Sequence, residues 1–213
     1  MKTSIVKMAA VAAVMALAAV LWVGCGGDDN PSGGGNGGGD NNGGNNGGGG
    51  SSESVKIGTQ TWMKKNLNIE AGNSWCYDND PANCETYGRL YDWATAKTVC
   101  PSGYHLPTSE EWNTLVTTAG GSDEAKEKLK SKSGWNNYNG KSGNGTDTFG
   151  FSALPSGDYS DGFNHVGDRG TWWTDTEPNN NNYAYFYGIY NEIGYVYTSM
   201  DAKRVGYAVR CVK

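Results

Sequence analysis

Apolar and polar positions divide the chain into three stretches. Residues 8–23 form an almost unbroken apolar run, mostly Ala, Val and Leu. Residues 26–52 are nearly all Gly, Asn and Ser with a few Asp. From residue 53 onward, short apolar clusters alternate with turn residues. There, residues 55–57 and 61–63 predict two short strands around Gly58-Thr59-Gln60. Leu90, Trp93, Ala94 and Ala96 recur at near-helical spacing and predict a helix within residues 88–98. Trp112, Leu115, Val116 and Ala119 form one apolar helical stripe. It is preceded by Thr108 and Glu111, spaced as a capping box in which each side chain satisfies the other's backbone amide. Glu110 and Glu111 in that first turn complement the helix dipole, as does the acidic start and basic end of residues 122–130, a second, shorter helix.

Beyond Gly134 helical spacing stops. Strand candidates are residues 172–175, 183–187, 195–198 and 206–212. In the last, Tyr207, Val209 and Cys211 alternate with Ala208, Arg210 and Val212. Helices early and strands late predict an α+β domain with two or three helices and small antiparallel sheets. Trp62, Trp93 and Trp112 are assigned to its core.

The two N-terminal stretches describe export. Lys2 and Lys7 precede the apolar run, which is shorter than the ~20 residues a membrane span needs. Residues 1–24 therefore read as a secretory signal. Their end, Val23-Gly24-Cys25, resembles a bacterial lipobox, in which a small residue precedes the Cys that receives lipid after cleavage. Trp22 stands where an aliphatic residue is usual. Cys25 is the expected lipidation site and the anchor to the membrane. Residues 25–52 hold almost nothing apolar to bury and read as a disordered tether, about 27 residues of Gly-rich coil spanning roughly 30 Å. Gly26 follows Cys25, without the Asp that retains lipoproteins at the inner membrane in enteric-type sorting. The expected location is the outer membrane, with the domain periplasmic or on the cell surface.

The formal charge is −5, from 17 basic and 22 acidic residues. Removing Lys2 and Lys7 with the signal leaves 15 against 22, or −7, which argues against a nucleic-acid partner. The remaining ~160 residues suit one domain, assigned to 53–213. Four cysteines besides Cys25, in an exported chain, read as disulfides with three pairings open. Cys76–Cys84 and Cys100–Cys211 are favoured. The first flanks the turn-forming Asn79-Asp80-Pro81, and the second ties an early helix to the last strand. No CxxC pair is present, and His105 and His165 are the two histidines, a poor set for zinc.

The segment CYDNDPANCETYGRLYDWATAKTVCPSGYHLPTSEEW, from Cys76 to Trp112, resembles the Fibrobacter succinogenes major paralogous domain. So do FGFSALPSGDYSDGF, RGTWWTDTE and the closing GYAVRCVK. The resemblance covers residues 54–213. Such domains are found on exported proteins and lipoproteins of fibre-degrading and related bacteria, and membership implies no particular activity. More distantly, HLPTSEEW and the closing strand resemble the formylglycine-generating-enzyme fold, a relative of C-type lectins. That resemblance implies a C-type-lectin-like α+β domain whose termini meet in a small sheet. It also implies a long-range disulfide to the final strand, in agreement with Cys100–Cys211.

Formylglycine-generating enzymes rely on reactive cysteines, and all four cysteines here are assigned to structural pairs. No nucleophile elbow, HExxH or phosphate loop appears. Glu110 and Glu111 read as a capped first turn, and His105 as structural, so no catalytic residue is expected. Glu177-Pro178-Asn179 resembles the triplet with which Ca²⁺-dependent mannose-type lectins hold cation and sugar. Asp175, Glu177 and Asn179 are the candidate Ca²⁺ ligands, oxygen donors suited to a hard cation. The Trp-Asn-Asp partner of those lectins is missing, and the alternative is a plain turn. Asp158, Asp161, Asn164 and Asp168 do not follow EF-hand spacing and read as a solvated loop.

Eight Trp and thirteen Tyr against four Phe favour rings with a polar edge, which serve recognition surfaces as well as cores. The candidate ligand-binding residues are Trp172, Trp173, Tyr183, Tyr185 and Tyr187. The three tyrosines alternate onto one face, joined by Tyr190, Tyr195 and Tyr197. The expected function is a lipid-anchored, non-catalytic binding module for polysaccharide or a cell-surface protein, with no cofactor beyond Ca²⁺ at that triplet. The rivals are an enzyme related to formylglycine-generating enzymes and a structural envelope component without a ligand.

Overall fold

The first alternation closes as a hairpin. β1 (Ser54–Ile57) pairs antiparallel with β2 (Gln60–Met63), and Gly58 takes φ 60° in the turn, a conformation that costs a glycine little. The structure is a computed structural model and describes residues 53–179 and 181–213. The expected signal (1–24), the lipidated Cys25 and the tether (25–52) lie outside the described residues. At the other end of the domain, Thr61 and Lys213 exchange backbone hydrogen bonds of 2.9 and 3.0 Å, and Val212 bridges both Trp62 and His105. The opening hairpin and the closing residues are thus paired.

Among the described residues four α-helices form where two or three were expected. The additional one is α1 (Pro81–Tyr87), within the stretch read as a turn. Asp80 accepts the Ala82 N–H and Pro81 fills the first helical position, so the turn at 79–81 is itself a helix start. The helix expected within 88–98 is also different. Leu90 and Tyr91 form a strand, β4 (Leu90–Tyr91), held antiparallel between β3 (Ser74–Trp75) and β10 (Tyr207–Ala208). Helix begins only after Asp92, whose side chain caps Thr95, and lasts one turn, α2 (Trp93–Ala96). α3 (Ser109–Thr118) carries the complete Thr108–Glu111 capping box, and α4 (Ser122–Leu129) follows it. Among the described residues no helix is long and apolar enough to cross a membrane.

The main sheet is mixed rather than purely antiparallel. β7 (Arg169–Trp173) is central and pairs antiparallel with β8 (Tyr183–Tyr190), which pairs antiparallel with β9 (Tyr197–Ala202). Along its other edge β7 runs parallel to β10 at Trp172 and to β5 (Ser156–Tyr159) at Gly170. The second pairing is parallel because β6 (Phe163–Val166) reverses the chain between β5 and β7. The β5–β6 hairpin occupies the Asp-rich stretch read as a loop.

Both faces of this sheet are covered. Trp172, Tyr187 and Ile189 face α3 and α4, packing with Trp112, Leu115, Ala125 and Leu129. Trp173, Ala184, Phe186, Tyr207 and Val209 face the other way, against Tyr91, Trp93 and Leu106. Successive strand residues alternate between the faces, so two adjacent tryptophans enter two different cores. The fold is mixed α+β, and both expected disulfides, Cys76–Cys84 and Cys100–Cys211, are formed.

Candidate functional site

On the face of the sheet away from α3, the even positions of β8 lie beside the odd positions of β9. The register places Gly188 beside Tyr197, Phe186 beside Ser199 and Ala184 beside Asp201, while Tyr190 pairs with Arg169 of β7. Gly188 is what brings the rings together. A Cβ there would stand 2.5 Å from the Tyr197 ring and 3.0 Å from the Tyr190 ring. Without it, Tyr190 and Tyr197 meet edge to face over the strand, centroids 4.6 Å apart. Phe186 joins them at 5.8 Å from Tyr197 and 5.0 Å from Tyr207.

The opposite wall is the β5–β6 hairpin. Gly157 (φ 69°) and His165 (φ 64°) both take the left-handed region, rare for a residue with a side chain. A Cβ on Gly157 would come within 2.4 Å of the Asn164 carbonyl, so that position accepts only glycine. His165 Nδ1 lies 2.6 Å from Asp158 Oδ2. Together the two walls enclose an open cleft of about 360 Å³ lined by Asp158, Ser160, His165, Arg169, Tyr190, Tyr197, Ser199, Asp201 and Tyr207.

Its polar groups are held firmly. The Tyr207 hydroxyl donates to Asp201 Oδ2 at 2.7 Å, and Oδ1 of the same carboxylate accepts the Ala202 N–H at 2.7 Å. Burial, reinforced by the Asp201 charge, pushes the Tyr207 phenol far up, so it stays a donor. Burial likewise raises Tyr190, against the pull of Arg169, whose guanidinium lies 4.5 Å from the ring centroid. Arg169 Nη2 reaches Glu192 at 3.2 Å, while its buried Nε has no protein partner. The cleft therefore offers aromatic edges and faces, two carboxylates, hydroxyls and a guanidinium within one volume.

The expected site residues fall elsewhere. Trp172 and Trp173 are 0% exposed. Their indole N–H groups donate to Asn66 Oδ1 and to the Tyr91 carbonyl, each at 2.8 Å. They are core residues, because β7 is covered on both faces. Tyr187 is also buried: it stacks on Trp112 with centroids 5.2 Å apart, and its hydroxyl lies 2.6 Å from Asn113 Oδ1. Tyr183 is exposed and Tyr185 half-buried, but their positions alternate with those of the cleft. Tyr190, Tyr197 and Tyr207 are the tyrosines that line it.

Two of the residues proposed for Ca²⁺ are paired with lysines instead. Asp175 pairs with Lys97 at 2.8 Å and Glu177 with Lys203 at 2.5 Å. The two lysines lie against the Trp93 ring, at 4.7 and 4.2 Å. Asn179 is exposed. Among the described residues no group of three His, Cys, Asp or Glu is placed to hold a metal. In the Asp-rich stretch, Asp158 meets His165, and Asp168 Oδ1 accepts from Asn136 and Asn191 at 3.1 and 2.7 Å.

Sequence reasoning missed Gly188, His165, Arg169, Ser199 and Tyr207 as members of one site. Continuing the alternation of β8 past Tyr187 would have exposed the set Phe186, Gly188 and Tyr190. Nothing local marks His165.

No curated protein and no solved structure matches the chain. A family model described as the Fibrobacter succinogenes major domain matches residues 55–213. That span takes in both walls of the cleft, both disulfides and both cores, and the chain belongs to the Fibrobacter succinogenes major domain family.

Proposed function

We propose that the protein is an exported, lipid-anchored and non-catalytic binding module that holds polysaccharide in the cleft between β9 and the β5–β6 hairpin. The observation that carries this reading is the meeting of Tyr190 and Tyr197 over Gly188, beside Asp158, Ser199 and Asp201. A sugar ring presents apolar C–H faces and a rim of hydroxyls. Aromatic surface takes the first, and carboxylate and hydroxyl oxygens take the second. Two disulfides support an exported location, and a Gly/Asn tether from a lipidated Cys25 would hold the domain off an outer-membrane surface. The pairing of Thr61 with Lys213 and the Cys100–Cys211 bridge support a C-type-lectin-like arrangement of the α+β fold.

The test is binding of the purified, oxidised protein to a panel of plant and bacterial polysaccharides, with Ca²⁺ and then with a chelator. Chelator-insensitive binding that Tyr197→Ala abolishes supports the cleft. Binding lost on chelation moves the site to Asp175, Glu177 and Asn179. No binding in either arm overturns the carbohydrate reading and favours a surface protein partner or a purely structural envelope role. Copper-dependent oxygen uptake would favour an enzyme related to formylglycine-generating enzymes.

A further inference from the structure

A second cleft, of about 450 Å³, opens between β3 and α1, and Cys76 and Cys84 line it together with Trp75, Glu70, Glu85 and Arg89. Arg89 is aimed at the bridge. Its Nη1 stands 3.5 Å from Cys76 Sγ and 3.7 Å from Cys84 Sγ. Nε donates to Ser74 Oγ at 3.1 Å, and Nη2 lies 3.4 Å from the Ser74 carbonyl and 3.6 Å from Glu70. The guanidinium is thus fixed in place, with 14% of the side chain exposed.

A disulfide sulfur is a weak acceptor and gains little from a cation. A thiolate at the same place gains a charge-assisted hydrogen bond, and a neighbouring Arg favours the thiolate form of a cysteine. Cys76 is partly exposed in the cleft and Cys84 is nearly buried. In the other bridge Cys100 is likewise partly exposed and Cys211 is fully enclosed in the second core, so what sets Cys76–Cys84 apart is the cleft with Arg89 beside its sulfurs.

The geometry points to Cys76–Cys84 as a thiol-exchangeable disulfide that reacts with a small-molecule thiolate entering this cleft. The incoming thiolate attacks Cys76 Sγ and forms a mixed disulfide. The Cys76–Cys84 bond breaks, and its electron pair leaves on Cys84 Sγ as a thiolate stabilised by Arg89. A second small thiolate attacks the mixed disulfide at the small-molecule sulfur and releases Cys76. The two small thiols end as one oxidised dimer, and the chain, after protonation, holds two thiols. This site is separate from the polysaccharide cleft and stands independently of that reading.

The experiment exposes the purified native protein to reduced glutathione, quenches with an alkylating reagent at intervals, and maps the labelled cysteines by mass spectrometry. Cys76 and Cys84 are expected to open at least about tenfold faster than Cys100 and Cys211, with the mixed disulfide on Cys76. Simultaneous opening of both bridges, or earlier opening of Cys100–Cys211, overturns the proposal. Arg89→Gln is expected to slow the first bridge about tenfold and leave the second unchanged. If that variant fails to fold, Ser74→Ala, which removes the acceptor of Arg89 Nε, replaces it and must also slow the reaction. An unchanged rate removes Arg89 from the mechanism.

Discussion

Arg210 places Nη2 2.6 Å and Nε 3.0 Å from the same atom, Oδ1 of Asn66, which lies 144 positions earlier in the chain. That oxygen also accepts the Trp172 indole N–H at 2.8 Å, while Asn66 Nδ2 donates to the Tyr87 carbonyl at 2.9 Å. Arg210 is fully buried, donates to the Phe151 carbonyl and lies 4.4 Å over the Phe151 ring. Burial pushes its guanidinium down to about 9, with only the more distant Asp147 opposing. One amide oxygen therefore serves a buried cation and a buried indole, and ties the closing strand, β7 and the segment after β2 together.

Removing Asn66 leaves that cation short of acceptors in a dry interior, the situation in which buried polar groups cost most. Asn66→Ala is expected to lower unfolding free energy by about 3 kcal/mol. The midpoint of urea unfolding at fixed pH reads it. A loss below about 1 kcal/mol, the size of an ordinary net hydrogen bond, would mean that the Phe151 carbonyl and the Ser152 carbonyl, 3.5 Å from Nη2, satisfy Arg210 without Asn66.

Trp172 is central to the first core, so Trp172→Ala is expected to cost about 3–5 kcal/mol through lost burial and a cavity. Tyr183→Ala, on an exposed position of β8, should stay within about 0.5 kcal/mol. Thermal unfolding of the two variants side by side separates a core ring from a surface ring. Equal, small shifts would contradict the burial of Trp172.

These two residues show how far the chain was legible in advance. The hairpin at 54–63 and the capped α3 follow from local spacing, while cysteine number left three pairings open, of which the favoured one is present. Alternation in β7 and β8 was also visible. It separates two faces but does not say whether the second face meets water or another core, and here it meets Tyr91 and Trp93. Leu90 shares helical spacing with Trp93, Ala94 and Ala96, yet it and Tyr91 have sheet partners, Ala208 and Tyr207, over a hundred residues on, and tertiary pairing overrides local propensity. The cleft depends on such distant meetings throughout. Gly188 matters only because Tyr197 and Tyr190 flank it, and Asp158 finds its imidazole partner only when β5 and β6 pair.

For the cleft, Tyr197→Ala is expected to weaken polysaccharide binding by about tenfold or more, as for a central aromatic contact. Tyr197 is partly exposed, so its stability cost should be modest. Gly188→Ala should displace both rings, because the new methyl has no room between them, and weaken binding without touching a polar group. Titration calorimetry on the two variants reads both effects. Binding unchanged by Gly188→Ala would place the ligand elsewhere.

The capping box of α3 makes a prediction in acid. Burial pushes the Glu111 carboxyl up, but the Thr108 backbone N–H, His105 and the Thr108 hydroxyl outweigh it and hold the group below 4.5. Glu111 Oε2 accepts the Thr108 N–H at 2.8 Å, and Oε1 lies 2.8 Å from His105 Nε2. A carboxyl whose folded value lies below its unfolded value binds fewer protons folded than unfolded. Its contribution is complete above pH 4.5 and is lost as pH falls through the lowered folded value. Glu111→Gln cannot titrate, so its stability loss relative to wild type should be largest near neutrality and shrink below pH 4.5. Thr108→Ala removes the reciprocal half of the box and should cost about 1 kcal/mol near neutrality. Denaturant unfolding from about pH 3 to about pH 7 measures these differences. A Glu111→Gln deficit that stays constant across that range would show that the carboxylate charge is not what the box holds, and that a neutral hydrogen bond suffices to start α3.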